Sequence, residues 1–478
     1  MTPSFLRTLR ILCCTLSTPL LFLLTIGMVL TTDSQAATPF VDVTADVGLE
    51  GVAGGYAAWG DYNGDGWVDL AVDGQLWRND KGKFTRVEGV AFAGSGIWGD
   101  VDNDGDLDFF AMGGKVHRNQ GGQTFQDIEK AIPEMPRAPM NATWLDVNGD
   151  GHIDLYITGY EGGGYHPDFL YQNQGDATFK VIHRGPATPG RGVTACDYDE
   201  DGDIDTYVSN YRLGPNASLQ NDGTGKLTDV AKAAKVDGDG GLGAWGHTIG
   251  SSWGDFDNDG HFDLFAGNFS HPPAYQDRPK FYKNLGAKQG WTFSDLSNDA
   301  GLHWQESYAS PALADFDNDG LLDLFFTTVY AGDRSVMYRN KGNWKFENVT
   351  AAVKVDRPTT YQAAWADFNN DGAMDILNGG RLFQNPGTPN RWLKVRLAAG
   401  GKVNGTAFGS QVRIQLGDRT LTRQVESATG QGNQNDLTLH FGLGDHQPDV
   451  TLEIRWPDGT KQMVPNTSTN STVQIEKP

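Results

Sequence analysis

One nine-residue motif occurs seven times in the chain, and it constrains the fold more than any other feature. Each copy has Asp at position 1, Asp or Asn at position 3, Asp at position 5, Gly at position 6 and Asp at position 9. The oxygen-bearing residues of the seven copies are Asp61, Asn63, Asp65 and Asp69; Asp100, Asp102, Asp104 and Asp108; Asp146, Asn148, Asp150 and Asp154; Asp197, Asp199, Asp201 and Asp205; Asp255, Asp257, Asp259 and Asp263; Asp315, Asp317, Asp319 and Asp323; and Asp367, Asn369, Asp371 and Asp375.

This pattern places hard oxygen ligands on one side of a sharp turn, which the glycine makes possible. Calcium accepts six to eight oxygens in flexible geometry, so the sequence predicts up to seven bound Ca²⁺ ions. An EF-hand is excluded because position 12 is never Glu. A single loop of this kind could equally be a metal-free Asp/Asn/Gly turn. Seven copies of the same pattern favour metal-binding loops over metal-free turns.

Net charge supports the same interpretation. The chain carries a formal charge of −22 over 478 residues, which argues against a nucleic-acid partner because such a partner requires a basic face. The seven loops hold 25 aspartates at positions 1, 3, 5 and 9. Seven calcium ions would bring the net charge from −22 to −8. Without them, the carboxylates within each loop should repel one another.

The N-terminal residues have the pattern of a secretory signal peptide over residues 1–37. Arg7 and Arg10 precede a mostly apolar run, and Ala36 and Ala37 provide a cleavage site. An uncleaved membrane anchor is the alternative, because the apolar run is long. After cleavage Cys196 is the one remaining thiol, so no internal disulfide can form. We expect a secreted protein, extracellular or periplasmic, with no membrane span after cleavage.

Each acidic loop lies between short strand-like segments, and four such segments accompany each copy. Successive loops are 39 to 60 residues apart. This spacing predicts an all-β fold in which residues 38–389 form a seven-bladed β-propeller with calcium loops. The seventh repeat lacks its fourth strand, whereas Phe40–Thr44 has the pattern of one. Residues 40–44 should therefore close blade seven and remove an open sheet edge.

The loops on the two faces of such a ring differ in how much their lengths vary. The calcium loops and Gly turns share one face and hardly vary in length, while all large length variation falls on the other face. Aromatic, His and Arg side chains on variable loops over a rigid scaffold are typical of a binding face, although a solvated rim is the alternative. The candidate ligand-binding residues are Tyr165, His166, Tyr211, Arg212, His271, Tyr275, Arg278, Trp304, Tyr330, Arg334 and Tyr361.

The pattern changes at residue 390. Residues 390–478 lack acidic loops and contain alternating strands, which predicts a small C-terminal β domain. The stretch from Gly430 to Asn435 is a polar loop to which the sequence assigns no chemistry.

These motifs together resemble known repeats. The Asp-rich loops, each followed by an apolar strand and a strand ending in Asn, resemble the FG-GAP or VCBS repeats of integrin α-chain propellers. Residues 404–413, 439–444 and 453–459 resemble the ASPIC/UnbV domain. That pairing is the layout of cartilage-acidic-protein-like secreted proteins. The resemblance implies calcium on one propeller face and ligands on the other, with no defined activity. Asn63, Asn148 and Asn369 depart from Asp at position 3, which implies weaker metal binding in those copies.

Three functions remain open at this stage. The first is a non-enzymatic binding or adhesion module for a protein or glycan ligand. The second is a lyase or hydrolase acting on an acidic glycan at the variable face, since a lyase needs a base and a cation. The third is a surface-assembly module acting through the C-terminal domain. No catalytic residue is assigned. Gly250–Gly254 matches the nucleophile elbow, but it runs directly into Asp255 without a helix.

Overall fold

The computed structural model describes residues 37–128, 130–160, 162–238, 245–269, 278–302 and 307–478. The predicted signal peptide over residues 1–37 lies outside the described residues except for Ala37. Within the described part of the chain, no helix is long and apolar enough to cross a membrane. The fold is nearly all-β, as the sequence predicts.

Seven four-stranded antiparallel sheets make up the propeller. The strand after each acidic loop begins at the Asp of position 9, and its buried apolar residues pack between neighbouring blades. The first strand, β1, is Val41–Asp42. The strands of blades one to three are β2 Ala57–Gly60, β3 Asp69–Val72, β4 Gln75–Asn79, β5 Phe84–Arg86, β6 Gly96–Gly99, β7 Asp108–Ala111, β8 Lys115–Asn119, β9 Phe125–Ile128, β10 Pro139–Leu145, β11 Asp154–Gly159, β12 His166–Asn173 and β13 Phe179–Thr188.

Blades four to seven repeat the same up-and-down order, and short helical turns follow the fourth strand in three of them. The strands are β14 Gly190–Cys196, β15 Asp205–Asn210, β16 Ala217–Asn221, β17 Leu227–Asp229, β18 His247–Gly254, β19 Asp263–Phe269, β20 Lys280–Asn284, β21 Phe293–Asp295, β22 Tyr308–Ala314, β23 Asp323–Thr328, β24 Val336–Asn340, β25 Phe346–Asn348, β26 Ala364–Ala366, β27 Asp375–Asn378 and β28 Arg381–Gln384. The helices are α1 Ala231–Ala234, α2 Ser297–Ala300 and α3 Thr350–Val353, with a 3₁₀ turn at Ala287–Gln289.

Blade seven takes its fourth strand from the other end of the chain. Val41 pairs with Gln384, and Asp42 pairs with Phe383, so β1 lies antiparallel to β28. The Thr44 hydroxyl accepts a hydrogen bond of 2.9 Å from the Leu382 N–H. Blade seven therefore joins the two ends of the propeller segment and leaves no unpaired strand at the closure.

Tryptophans on the innermost strands fill the spaces between blades. Trp59, Trp98, Trp144 and Trp365 are almost fully buried. Their close packing depends on a small residue before the acidic loop of the preceding blade. At Gly99, for example, an added Cβ would lie 2.8 Å from the Trp144 indole nitrogen and 2.7 Å from the Ile153 Cδ1 atom. The glycine at this position is therefore required by packing.

Replacing Gly99 with Ala should destabilise the propeller by about 1–3 kcal/mol, because the extra methyl group forces the Trp144 ring to shift in a close-packed core. The measurement is the free energy of unfolding in denaturant with calcium present. Gly400→Ala is the control, since nothing lies within 4 Å of its Cβ position. Equal stability of the two variants would contradict the packing explanation.

The C-terminal residues form two further sheets that belong to the same compact unit as the propeller. One sheet has three strands in the order β32-β29-β35, and the other has four in the order β31-β30-β33-β34. The strands are β29 Arg391–Ala398, β30 Gln411–Leu416, β31 Arg419–Gln424, β32 Leu439–Gly444, β33 Val450–Arg455, β34 Lys461–Thr467 and β35 Ser471–Glu476. Their apolar core is continuous with that of blades two and three.

These sheets lie against the acidic-loop face of the propeller. Ion pairs join Arg396 to Asp61 and Lys394 to Asp367. The Thr406 hydroxyl accepts a hydrogen bond from the Asp100 N–H. The C-terminal sheets thus cover the face on which the sequence predicts the metal sites.

The segment between β31 and β32 enters the axis of the propeller, and we call residues 424–436 the plug. It forms hydrogen bonds with the innermost strand of every blade. One example is Gln434, whose side-chain amide accepts from the Trp98 N–H at 2.8 Å and donates to the Trp98 carbonyl at 3.0 Å. The Gly430–Asn435 stretch, to which the sequence assigned no chemistry, therefore satisfies the backbone groups that line the channel.

Candidate functional site

Backbone hydrogen bonds shape each acidic loop. In six of the seven loops, the position-1 carboxylate accepts from the N–H groups of positions 5 and 6; at Asp61 these bonds are 3.0 Å and 2.9 Å long. The glycine at position 6 has positive φ in these loops, +87° at Gly66, which a side chain would disfavour. These bonds fix the position-1 carboxylate within the turn.

The Asn that ends each third strand ties neighbouring blades together. Asn79 donates its backbone N–H to the Asp69 carboxylate at 2.7 Å. Its side-chain amide donates to the Val68 carbonyl in its own loop and to the Phe368 carbonyl in the loop of the preceding blade. Equivalent bonds to the preceding loop occur at Asn119, Asn173, Asn221, Asn284, Asn340 and Asn385. The seven loops consequently form one connected ring.

Four loops have Asp at position 3, and in these the carboxylates converge. In each, three ligand oxygens lie within 4.8 Å of one another. The groups are Asp100, Asp102 and Asp108; Asp197, Asp199 and Asp205; Asp255, Asp257 and Asp259; and Asp315, Asp317 and Asp323. Each of the four also contains a buried carboxylate oxygen with no hydrogen-bond partner among the described residues. Unpaired buried oxygens of this kind are costly unless a cation satisfies them.

The loop of blade four has the strongest requirement for a cation. Asp197, Asp199 and Asp205 are each more than nine-tenths buried, and each has one oxygen without a partner. Burial, together with the neighbouring carboxylates, raises the pKa of Asp197 to about 7 and that of Asp199 to about 6. Burial raises the pKa of Asp205 well above its usual value. A divalent cation would supply the missing positive charge, so these residues fit a calcium ion.

The three loops with Asn at position 3 are arranged differently. Their Asn amide donates to the position-5 carboxylate, at 3.1 Å for Asn63, 2.8 Å for Asn148 and 2.7 Å for Asn369. The carboxylates of these loops have no buried unpaired oxygen within the described residues. The donor set therefore fits a metal better in the four all-Asp loops than in these three.

In two of the Asn-containing loops the C-terminal strand β29 supplies a cation. The Lys394 ammonium lies 2.7 Å from the Asp367 carboxylate, and both side chains are almost fully buried. Arg396, two residues further along the same strand, donates to Asp61 at 2.7 Å. These ion pairs compensate the position-1 charges of blades seven and one, and they fix the C-terminal sheets on the loop face.

The predicted ligand-binding residues that the structure describes differ in exposure. Tyr165 is 47% exposed, and Arg334 is paired with Asp356. Arg212 and Arg278 are exposed, and His166 and Tyr330 are partly exposed. His271, Tyr275 and Trp304 lie outside the described residues. The described members are spread over several blades, except Tyr211 and Tyr361, which approach the same arginine.

That arginine, Arg191, begins the innermost strand of blade four. Its guanidinium carbon lies 5.2 Å from the Tyr160 ring centre, 5.0 Å from that of Tyr211 and 5.5 Å from that of Tyr361. These rings come from blades three, four and seven, so the group lies close to the propeller axis. Sequence reasoning missed Arg191. The available signal was a charged residue between two glycines at the start of a strand that is otherwise buried.

Ser252 of the Gly250–Gly254 segment and the thiol of Cys196 are both buried. The Ser252 hydroxyl lies within β18 and contacts the Thr429 hydroxyl of the plug at 2.8 Å. It therefore helps to hold the plug. Cys196 is fully buried, and burial raises its thiol pKa well above the usual value, which disfavours the reactive thiolate.

Comparison with known families confirms the predicted FG-GAP-like repeats and the predicted ASPIC/UnbV domain. Four spans match the FG-GAP-like repeat, at residues 100–157, 146–208, 255–326 and 315–377. They contain six of the seven acidic loops. Residues 400–478 match the ASPIC and UnbV family.

Curated relatives include cartilage acidic protein 1 from human and from Xenopus tropicalis. The human protein is 26% identical over 377 residues, covering 70% of this chain and 53% of the relative. The Xenopus protein is 26% identical over 347 residues, covering 66% of this chain and 51% of the relative. The chain thus spans about half the length of these relatives. Among solved structures, the Dos1 propeller has a TM-score of 0.37 and 10% identity, covering 67% of this chain and 75% of that one.

Proposed function

We propose that this chain, which carries FG-GAP-like repeats and an ASPIC and UnbV domain, is a secreted calcium-binding propeller that acts as a non-enzymatic binding module. Its ligand is a protein or a glycan, bound on the variable face. Calcium would occupy the four all-Asp loops first and would stabilise the ring, without taking part in the contact with the ligand.

One observation carries this proposal. The C-terminal sheets cover the acidic-loop face and contact residues at or near all seven loops, as at Asp61, Asp259 and Asp367. Metal ions there would be enclosed between propeller and C-terminal sheets. The variable face carries the exposed tyrosine and arginine side chains that binding surfaces favour. Metal and ligand therefore belong to opposite faces of one rigid scaffold.

The test is binding to a panel of polysaccharides and candidate protein partners, measured by biolayer interferometry with calcium present. Tyr165→Ala combined with Tyr330→Ala should weaken any binding that is found by roughly tenfold or more, because buried aromatic side chains often dominate interface energies. Met463→Ala is the control, since Met463 is an exposed side chain of the C-terminal sheets.

Two outcomes would contradict the proposal. Binding that responds to Met463→Ala and not to the paired tyrosine variant would place the ligand elsewhere. Release of new chain ends from a polysaccharide, followed in the same samples, would make the protein an enzyme acting on that glycan.

A further inference from the structure

The mouth of the channel on the variable face is closed from below by the plug. Gly432 lies against the ring of Tyr56, since an added Cβ would stand 3.0 Å from it. Asn433 donates to the Tyr361 carbonyl at 2.8 Å. Because the plug fills the axis, this mouth does not continue into a through-channel.

Four tyrosine side chains surround this mouth. Tyr56 and Tyr361 have ring centres 6.3 Å apart, and Tyr160 and Tyr211 have ring centres 6.4 Å apart. Burial raises the pKa of Tyr56 to about 12, although the charge of Arg191 opposes this shift. The Tyr56 hydroxyl is therefore neutral at ordinary pH, and it leaves the Arg191 charge uncompensated.

Arg191 has no charged or hydrogen-bonding partner among the described residues. Its contacts are the three tyrosine rings, and its Nε is buried without a hydrogen-bond partner. The side chain is partly exposed, so part of the guanidinium remains accessible. The accessible part of the guanidinium gains a charge-assisted hydrogen bond when a ligand supplies an acceptor. An anionic ligand would therefore provide the hydrogen-bond acceptor that Arg191 lacks among the described residues.

We propose that Arg191, framed by Tyr56, Tyr160, Tyr211 and Tyr361, binds the carboxylate of an acidic sugar at the end of a saccharide chain. A guanidinium pairs with a carboxylate through two parallel hydrogen bonds. Aromatic walls with few polar groups are typical of small-ligand sites. This inference rests on the proposed binding role of the variable face and specifies its ligand class.

The net charge of the protein restricts the class of ligand further. A polyanion would be repelled by a protein that keeps a net charge of −8 even with seven calcium ions bound. One cation among tyrosine rings suits a ligand that carries a single negative charge at its end. A uronic acid at the end of a neutral saccharide chain carries one negative charge and is not a polyanion. A long sulfated polymer carries many negative charges along its length.

The experiment compares three probes on the full mature protein with calcium, by isothermal titration calorimetry. They are a short neutral oligosaccharide ending in one uronic acid, the same compound as its methyl ester, and a peptide with a free C-terminal carboxylate. We expect the uronic acid to bind roughly 10- to 100-fold more tightly than its ester, which is the range for losing a hydrogen bond to a charged group. This comparison requires no variant.

Two matched variants test the residue itself. Arg191→Gln should remove the preference for the acid over the ester. Arg184→Gln removes an equal charge at an exposed arginine that is already paired with Glu134 and is not one of the candidate ligand-binding residues, and it should leave the preference intact.

Each other outcome overturns the inference. Equal binding of acid and ester, or an unchanged preference in Arg191→Gln, excludes the carboxylate contact while leaving the variable face as a binding surface. Preference for the peptide would identify a protein ligand instead. If none of the probes binds and no panel ligand responds to the variable-face tyrosines, the proposed function fails as well.

Discussion

Removing calcium with a chelator should lower the free energy of unfolding by roughly 10 kcal/mol. A metal that binds the folded state alone stabilises it by about 2.7 kcal/mol per site when its free concentration is 100 times the dissociation constant. Four all-Asp loops meet the structural requirement for such a site. The check is thermal and denaturant unfolding with calcium and with EDTA, together with the bound calcium measured by elemental analysis.

A single substitution should remove one of these ions. Asp199→Asn neutralises a carboxylate in the loop with three unpaired buried oxygens, and we expect one calcium fewer per chain. Asp445→Asn, at an exposed residue of the C-terminal sheets, is the control. Identical calcium content in both variants, or melting that EDTA leaves unchanged, would contradict the metal assignment.

The calcium-free protein should also lose stability as the pH rises. Burial raises the folded-state pKa of Asp197 to about 7 and of Asp199 to about 6, from 3.8. The folded state then binds more protons than the unfolded state between pH 4 and 7. The stabilisation is full below pH 4 and is lost as the pH rises through the folded-state values. Denaturant unfolding in EDTA at pH 5 and pH 7.5 measures the difference, and calcium should abolish it.

Removing the C-terminal sheets should prevent stable folding of the propeller, even with calcium present. A chain ending at residue 389 lacks the plug, and the channel-facing groups of all seven innermost strands lose their partners. Each unsatisfied buried group costs about 1–3 kcal/mol. Circular dichroism and hydrogen exchange would show the loss. A truncated propeller that melts at the temperature of the full mature chain would contradict the structural role of the plug.

The point variant Gln434→Ala removes a single plug side chain that contacts an innermost strand, and it keeps the rest of the C-terminal sheets. It leaves the Trp98 N–H and carbonyl unpaired, and should cost about 2–5 kcal/mol by the same reasoning. Gln474→Ala, at an exposed position of β35, is the matched control and should change stability by less than about 0.5 kcal/mol.

The propeller was predictable from sequence because its signals are local and repeated. The acidic loop occurs seven times, most copies follow a tryptophan and all precede a strand that ends in Asn, so each repeat describes one small sheet. The strand at Val41–Asp42 could be recognised because it repeats the pattern of Phe346–Asn348. The metal-ligand pattern was visible for the same reason, since it lies within nine consecutive residues.

The sequence by itself determined the number of blades, the position of the acidic loops and the identity of the two components. Only the tertiary structure decided that the C-terminal sheets cover the loop face, that residues 424–436 fill the axis, and that Arg191 meets tyrosines from three blades. Gln434 and Trp98 are 336 residues apart, and Arg191 and Tyr361 occupy blades on opposite sides of the axis. Such contacts arise when the ring closes and brings innermost strands together, and no periodicity along the chain encodes them.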